Sequence, residues 1–152
     1  MGTKRVGLAR IEALMENLKR DLALGGSTIS GNKMLVEAKS SSYSVSMPTD
    51  SGKFFTTTGA GGAITFTLPT VAGLSGCHCY FYNTVDQNMV IQCVDSDEDL
   101  LVILNDAAAD NLTFEQAGEK IGAGIHAVCD GSKWCLMEVS AGSEAVTTTS
   151  DT

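Results

Sequence analysis

Two hydrophobic patterns follow one another along the chain. Between Lys4 and Leu24, apolar residues fall at Leu8, Ile11, Met15, Leu18 and Leu22, the a and d positions of a helical heptad. Leu14 widens that stripe, and the Ala, Leu, Glu, Lys, Arg and Met around it are good helix formers. Gly25-Gly26 supplies a natural helix stop. The predicted element is a short amphipathic helical arm over residues 1–26, tethered by a flexible segment, 27–40, its apolar stripe to be buried either on the chain's own β body or on a partner.

Past the tether the period shortens to two. Tyr43, Val45 and Met47 alternate with serines, and Ile64, Phe66 and Leu68 alternate with threonines before Pro69, the pattern of half-buried strands. Cys77–Thr84, Asn88–Val94, Leu100–Leu104 and Asn111–Phe114 are further strand candidates. Near the end, Ile125–Cys129 and Ser132–Met137 flank Asp130-Gly131. Asp-Gly supplies the positive φ of a two-residue hairpin turn, a register that sets Ala127 opposite Trp134 and His126 opposite Cys135. Short strands separated by glycine turns predict a β-sandwich or jelly-roll-like domain over residues 41–140. The small polar residues of 141–152 predict a frayed tail.

Charge divides the chain at the same place. Residues 1–39 carry seven Lys or Arg against four acids, a net +3; the remainder carries three lysines against fourteen acids, a net −11. A basic arm on an acidic β body suits a part that docks onto something larger. The overall −8 argues against nucleic acid as partner of the body. No stretch reaches the ~20 apolar residues of a membrane span, and no signal peptide is visible, so synthesis in a cytoplasm with reduced cysteines is expected.

Candidate chemistry is sparse. Cys77-His78-Cys79 resembles a ligand cluster, but in a strand the two sulfurs share one face and His78 takes the other. The spacing also lacks the paired cysteines of a structural zinc site. A nucleophile made from His126 and Cys135 would further need a thiolate-promoting environment and an oxyanion site. Asp95-Ser96-Asp97-Glu98-Asp99 is an acidic loop without the glycine and distant glutamate of an EF-hand. The expectation is therefore no enzyme, no metal and no cofactor. The residues that matter are Leu8, Ile11, Met15, Leu18 and Leu22 for partner contact, with Asp130, Gly131 and Trp134 for the hairpin and core.

The ordered set Thr57–Pro69, Tyr80–Asn83, Gln87–Gln92 and Ala127–Trp134 resembles the small β modules of tailed-bacteriophage virion proteins. It combines a glycine-rich start, a Thr-Leu-Pro strand end and a closing Asp-Gly-x-x-Trp hairpin. The resemblance covers residues 57–137 and brings no catalytic residues with it. It implies a capsid decoration (cement) protein: a homotrimer on the virion surface, bound to the major capsid protein; charge and apolar content separately give the expectation of no nucleic-acid or membrane partner. The alternative it implies is a tail-fibre or receptor-binding tip. A short arm before a single module without repeats is closer to the cement layout.

Overall fold

The computed structural model describes residues 7–20, 31–94, 101–103, 106–115, 121–140 and 146–149. The chain divides into two compact units, Met1–Lys33 and Met34–Thr152. In the first, α1 spans Leu8–Arg20. Its first turn is closed by the Gly7 carbonyl, which accepts hydrogen bonds from the amides of Arg10 and Ile11.

The second unit is mainly β. In chain order its strands are β1 (Val36–Ala38), β2 (Tyr43–Ser44), β3 (Phe54–Thr56), β4 (Ile64–Leu68), β5 (His78–Tyr82) and β6 (Met89–Cys93). These are followed by β7 (Leu101–Ile103), β8 (Asp106–Ala109), β9 (Asn111–Phe114), β10 (Gly124–Cys129), β11 (Trp134–Ser140) and β12 (Val146–Thr149). They form a seven-stranded sheet in the order β1-β3-β5-β10-β11-β7-β8 and a five-stranded sheet in the order β12-β9-β6-β4-β2. The sheets pack face to face through one core. Phe66 of the small sheet lies 5.9 Å from Phe55 and 4.8 Å from Phe81 of the large one, ring centre to ring centre.

The path differs from the antiparallel route of a jelly roll. From β1 to β6 each strand enters the sheet opposite to that of its predecessor. Within a sheet, β1, β3 and β5 run parallel, as do β2, β4 and β6. This half of the body is a flattened coil, with one strand in each sheet per turn. Parallel neighbours need a long crossover, and here the crossover is a visit to the other sheet. Antiparallel pairs β5–β10, β10–β11, β7–β8, β6–β9 and β9–β12, with β7 parallel to β11, complete the sandwich.

The predicted limits of the body move outward. β1 lies in the segment 27–40 expected as a tether, because Val36–Ala38 pair with Phe54–Thr56 of β3. The tail expected to fray over 141–152 contains β12, whose Val146–Thr149 pair with β9. A run of Val and Thr suits a strand once a neighbour offers its edge.

The hairpin register also changes. Cys129 faces Trp134, Ala127 faces Leu136 and His126 faces Met137. The expected pairs are thus displaced by two residues. The cause is the Asp130 side chain: its Oδ1 accepts hydrogen bonds at 2.7 Å from the amides of both Ser132 and Lys133. The Asp130 amide donates to the Lys133 carbonyl, which leaves Gly131 and Ser132 as the central pair, with Gly131 at φ 100°. A two-residue displacement keeps every side chain on its expected face. Trp134 accordingly stays in the core, fully buried, with its indole N–H donating to the Pro69 carbonyl at 2.9 Å.

Candidate docking surfaces

Of the residues expected to contact a partner, Leu8, Ile11, Met15 and Leu18 fall within α1, while Leu22 lies outside the described residues. Ile11 and Met15 are exposed, and so is Leu14. Exposed apolar residues at this spacing on one helix form a stripe that a partner can cover. Gly25-Gly26 and the acidic segment 95–99 lie outside the described residues.

A second apolar surface, absent from the sequence reading, lies on the outer face of the seven-stranded sheet. The registers place Val36, Phe54, Tyr80, His126 and Met137 in one row across β1, β3, β5, β10 and β11. The middle of the row is held by ring contacts. Phe54 stacks on Tyr80 with centroids 6.1 Å apart, and Tyr80 stacks on His126 at 3.9 Å with planes 7° apart. The two ends remain open, Val36 at 63% and Met137 at 48% exposure. Beside this row, Tyr82 lies over Gly124: a Cβ at Gly124 would sit 2.9 Å from the Tyr82 ring. Aromatic pairs of this kind contribute about 0.5–1.5 kcal/mol beyond area burial. The row is therefore ordered although it faces outward.

An ionic cluster fixes the edge of the same sheet. Asp50, almost fully buried, accepts hydrogen bonds from the Tyr43 hydroxyl at 2.9 Å, the Ser46 amide at 2.8 Å and the Lys53 ammonium at 2.7 Å. Burial pulls its pKa up, but the hydrogen bonds from Lys53, Ser46 and Tyr43 outweigh burial and leave the carboxyl below its ordinary range. Lys53 also bonds Glu37 of β1 at 3.0 Å, and both contacts hold its ammonium above the usual lysine value. Glu37 is lowered by Lys39 and Lys53 in turn. Lys39 completes the cluster, its Nζ 3.4 Å from the centre of the Tyr43 ring.

The cysteines occupy the positions of small apolar residues. Cys79, Cys93 and Cys129 are buried in the core, whereas Cys77 and Cys135 are partly buried. Burial raises the thiol pKa of Cys79, Cys129 and Cys135, which disfavours the thiolate that nucleophilic chemistry requires. The register places Cys135 opposite Val128 rather than His126, so the expected Cys–His neighbours are not cross-strand partners. Among the described residues, no group of three or more His, Cys, Asp or Glu could hold a metal ion. No described helix is long and apolar enough to cross a membrane.

Asp130 and Gly131 shape the hairpin turn, and Trp134 belongs to the core; none of the three lines the outer row. No protein-family model matches the chain, and no curated protein matches it.

Proposed function

We propose that the protein is a structural virion component of a tailed bacteriophage, a trimer that binds the outside of the capsid and bridges neighbouring major capsid subunits. The observation that carries this reading is the segregation of the chain into a basic helical unit with exposed apolar residues and an acidic β body. On this reading α1 is a docking arm with Ile11, Leu14 and Met15 as contacts, and the heptad of the sequence adds Leu8, Leu18 and Leu22 as candidates. The open ends of the outer row, Val36 and Met137, offer a second contact on the body. Several modest contacts engaged together raise occupancy without a single strong site. Synthesis takes place in the host cytoplasm, and the working location is the shell surface.

Cosedimentation with capsids stripped of this protein is the test. Deleting residues 1–26 should leave the β circular-dichroism signal intact and abolish or severely weaken shell binding. Full-strength binding by the truncated protein would overturn the assignment.

The aromatic outer row favours one second reading, a receptor-binding tip whose Tyr80 and Tyr82 meet a host surface carbohydrate. Glycan binding that survives deletion of residues 1–26, together with no affinity for shells, would select it.

A further inference from the structure

The two histidines of the chain, His78 on β5 and His126 on β10, meet on the outer face of the large sheet. His126 Nε2 lies 3.1 Å from His78 Nδ1, with ring centroids 5.2 Å apart and planes at 82°. That centroid separation is close to the nitrogen gap plus the two ring radii, so the nitrogens meet nearly head-on. An imidazole–imidazole hydrogen bond needs one N–H and one lone pair. One proton therefore fits between the rings and two do not.

The surroundings reinforce that limit. Tyr80 stacks on His126 and also takes an edge contact with His78, centroids 5.9 Å apart. Phe54 of β3 packs on Tyr80. Met137 of β11 stands opposite His126, Val128 of β10 opposite His78, and Cys135 of β11 opposite Val128. Of these neighbours only Tyr80 and Cys135 are titratable; the Asp130 carboxylate lies 3.9 Å from the Cys135 sulfur and is held by the amides of Ser132 and Lys133. Glu138 pairs with Ile125 and takes the alternate position on its strand. The Lys53 ammonium is engaged by Asp50 and Glu37. A second positive charge on the pair thus finds no carboxylate hydrogen-bonded to either imidazole. Burial, and then the charge of His78, push the pKa of His126 down.

We propose that His78 and His126 form an acid-operated latch across β5 and β10: closed when the pair holds no extra proton or one, and open when it holds two. Opening separates the imidazoles and lifts His126 off Tyr80, which breaks the middle of the outer row. The inference is independent of what the protein binds. A histidine with a folded-state pKa below its unfolded value is protonated more readily in the unfolded chain. Stability is then full above the unfolded value, about 6.5, and is lost as pH falls from there through the folded value.

Intact protein labelled at histidine and tyrosine, titrated by NMR from about pH 8 to about pH 4.5, tests the latch. The pair should titrate in two steps, the second proton bound at least about tenfold more weakly than the first. The Tyr80 ring signals should move with the second step. Two rings titrating independently at one midpoint would overturn the proposal. Thermal unfolding of His126→Phe, which retains a ring against Tyr80, and of His78→Asn supplies a second readout. His126→Phe should remove most of the melting-temperature loss that the wild type shows between about pH 6.5 and pH 5, and His78→Asn, which leaves His126 half-buried, a smaller part of it. Variants that lose as much as the wild type also overturn it. Where a variant fails to fold, the wild-type titration alone decides.

Discussion

On the inner face of the seven-stranded sheet, Phe55, Phe81 and Ile125 stand in one row across β3, β5 and β10. One residue away on the same strands, Phe54, Tyr80 and His126 stand in another. The inner row is fully buried against Phe66 and its neighbours. The outer row has similar ring content, but its order comes from stacking within the row. The comparison separates two uses of aromatic residues in one sheet. The inner rings exclude water from both sides and set the stability of the fold. The outer rings make a firm, partly wetted surface, at small cost to the fold if they are changed.

Four sets of substitutions would sharpen or break that contrast. The largest effect is expected inside: Trp134→Ala removes a fully buried indole and should cost about 3–5 kcal/mol, read as a lower midpoint in chemical denaturation. An unchanged midpoint with lost shell attachment would place Trp134 at an interface instead. At the sheet edge, Asp50→Ala leaves Lys53 and Tyr43 without their shared acceptor and should cost about 3 kcal/mol. The Asp50 carboxyl has a folded-state pKa below its ordinary value. Its stabilisation is therefore present above the unfolded value, about 3.9, and is lost as pH falls through the folded one. Asp50→Ala should flatten that part of the acid-denaturation curve.

The third substitution lies on the outer face. Gly124→Ala sets a methyl 2.9 Å from the Tyr82 ring and 3.2 Å from the Phe81 carbonyl oxygen, and should cost about 1–3 kcal/mol in the same denaturation assay. Pairing it with Tyr82→Ala should recover part of that loss, since the ring is the closer of the two obstacles. The smallest stability effect belongs to the open ends of the outer row. Val36→Ser with Met137→Ser should change unfolding free energy by less than about 0.5 kcal/mol per site while weakening shell cosedimentation. A large stability loss there would mean that the outer row is part of the core after all.

Alternating Ile, Phe and Leu made β4 legible, the same alternation located β6, the flanks of Asp130-Gly131 located β10 and β11, and Asn111–Phe114 was a short candidate for β9. Cys79 pointing inward and His78 outward also followed from the strand period. Four short elements carried too little signal, β12 in the stretch expected to fray being one of them. β1 and β3 are three residues each, and β8, Asp106–Ala109, is made of residues that disfavour strands. Their pairing partners, not their own composition, make them strands. The order of the sheets was hidden for a related reason. Val36 finds Phe54, and Phe54 finds Tyr80, across a detour through the other sheet that leaves no local mark. The outer row and the histidine pair depend on those long-range registers, so neither could be read from residue spacing. The hairpin turn was missed by one residue because the capping reach of the Asp130 side chain competes with the Asp-Gly turn preference.

The alternation of strands between sheets has a mechanical consequence. If the basic helix is an anchor, tension enters the body at Met34 and reaches β1 first. Behind β1, the next strand lies in the opposite sheet, so the coil can yield only by unwinding one turn at a time. Lys53 bridges Glu37 on β1 to the buried Asp50, like a pin through the outermost turn. Rupture should begin at that pin, and a load released before it breaks would leave every later turn wound.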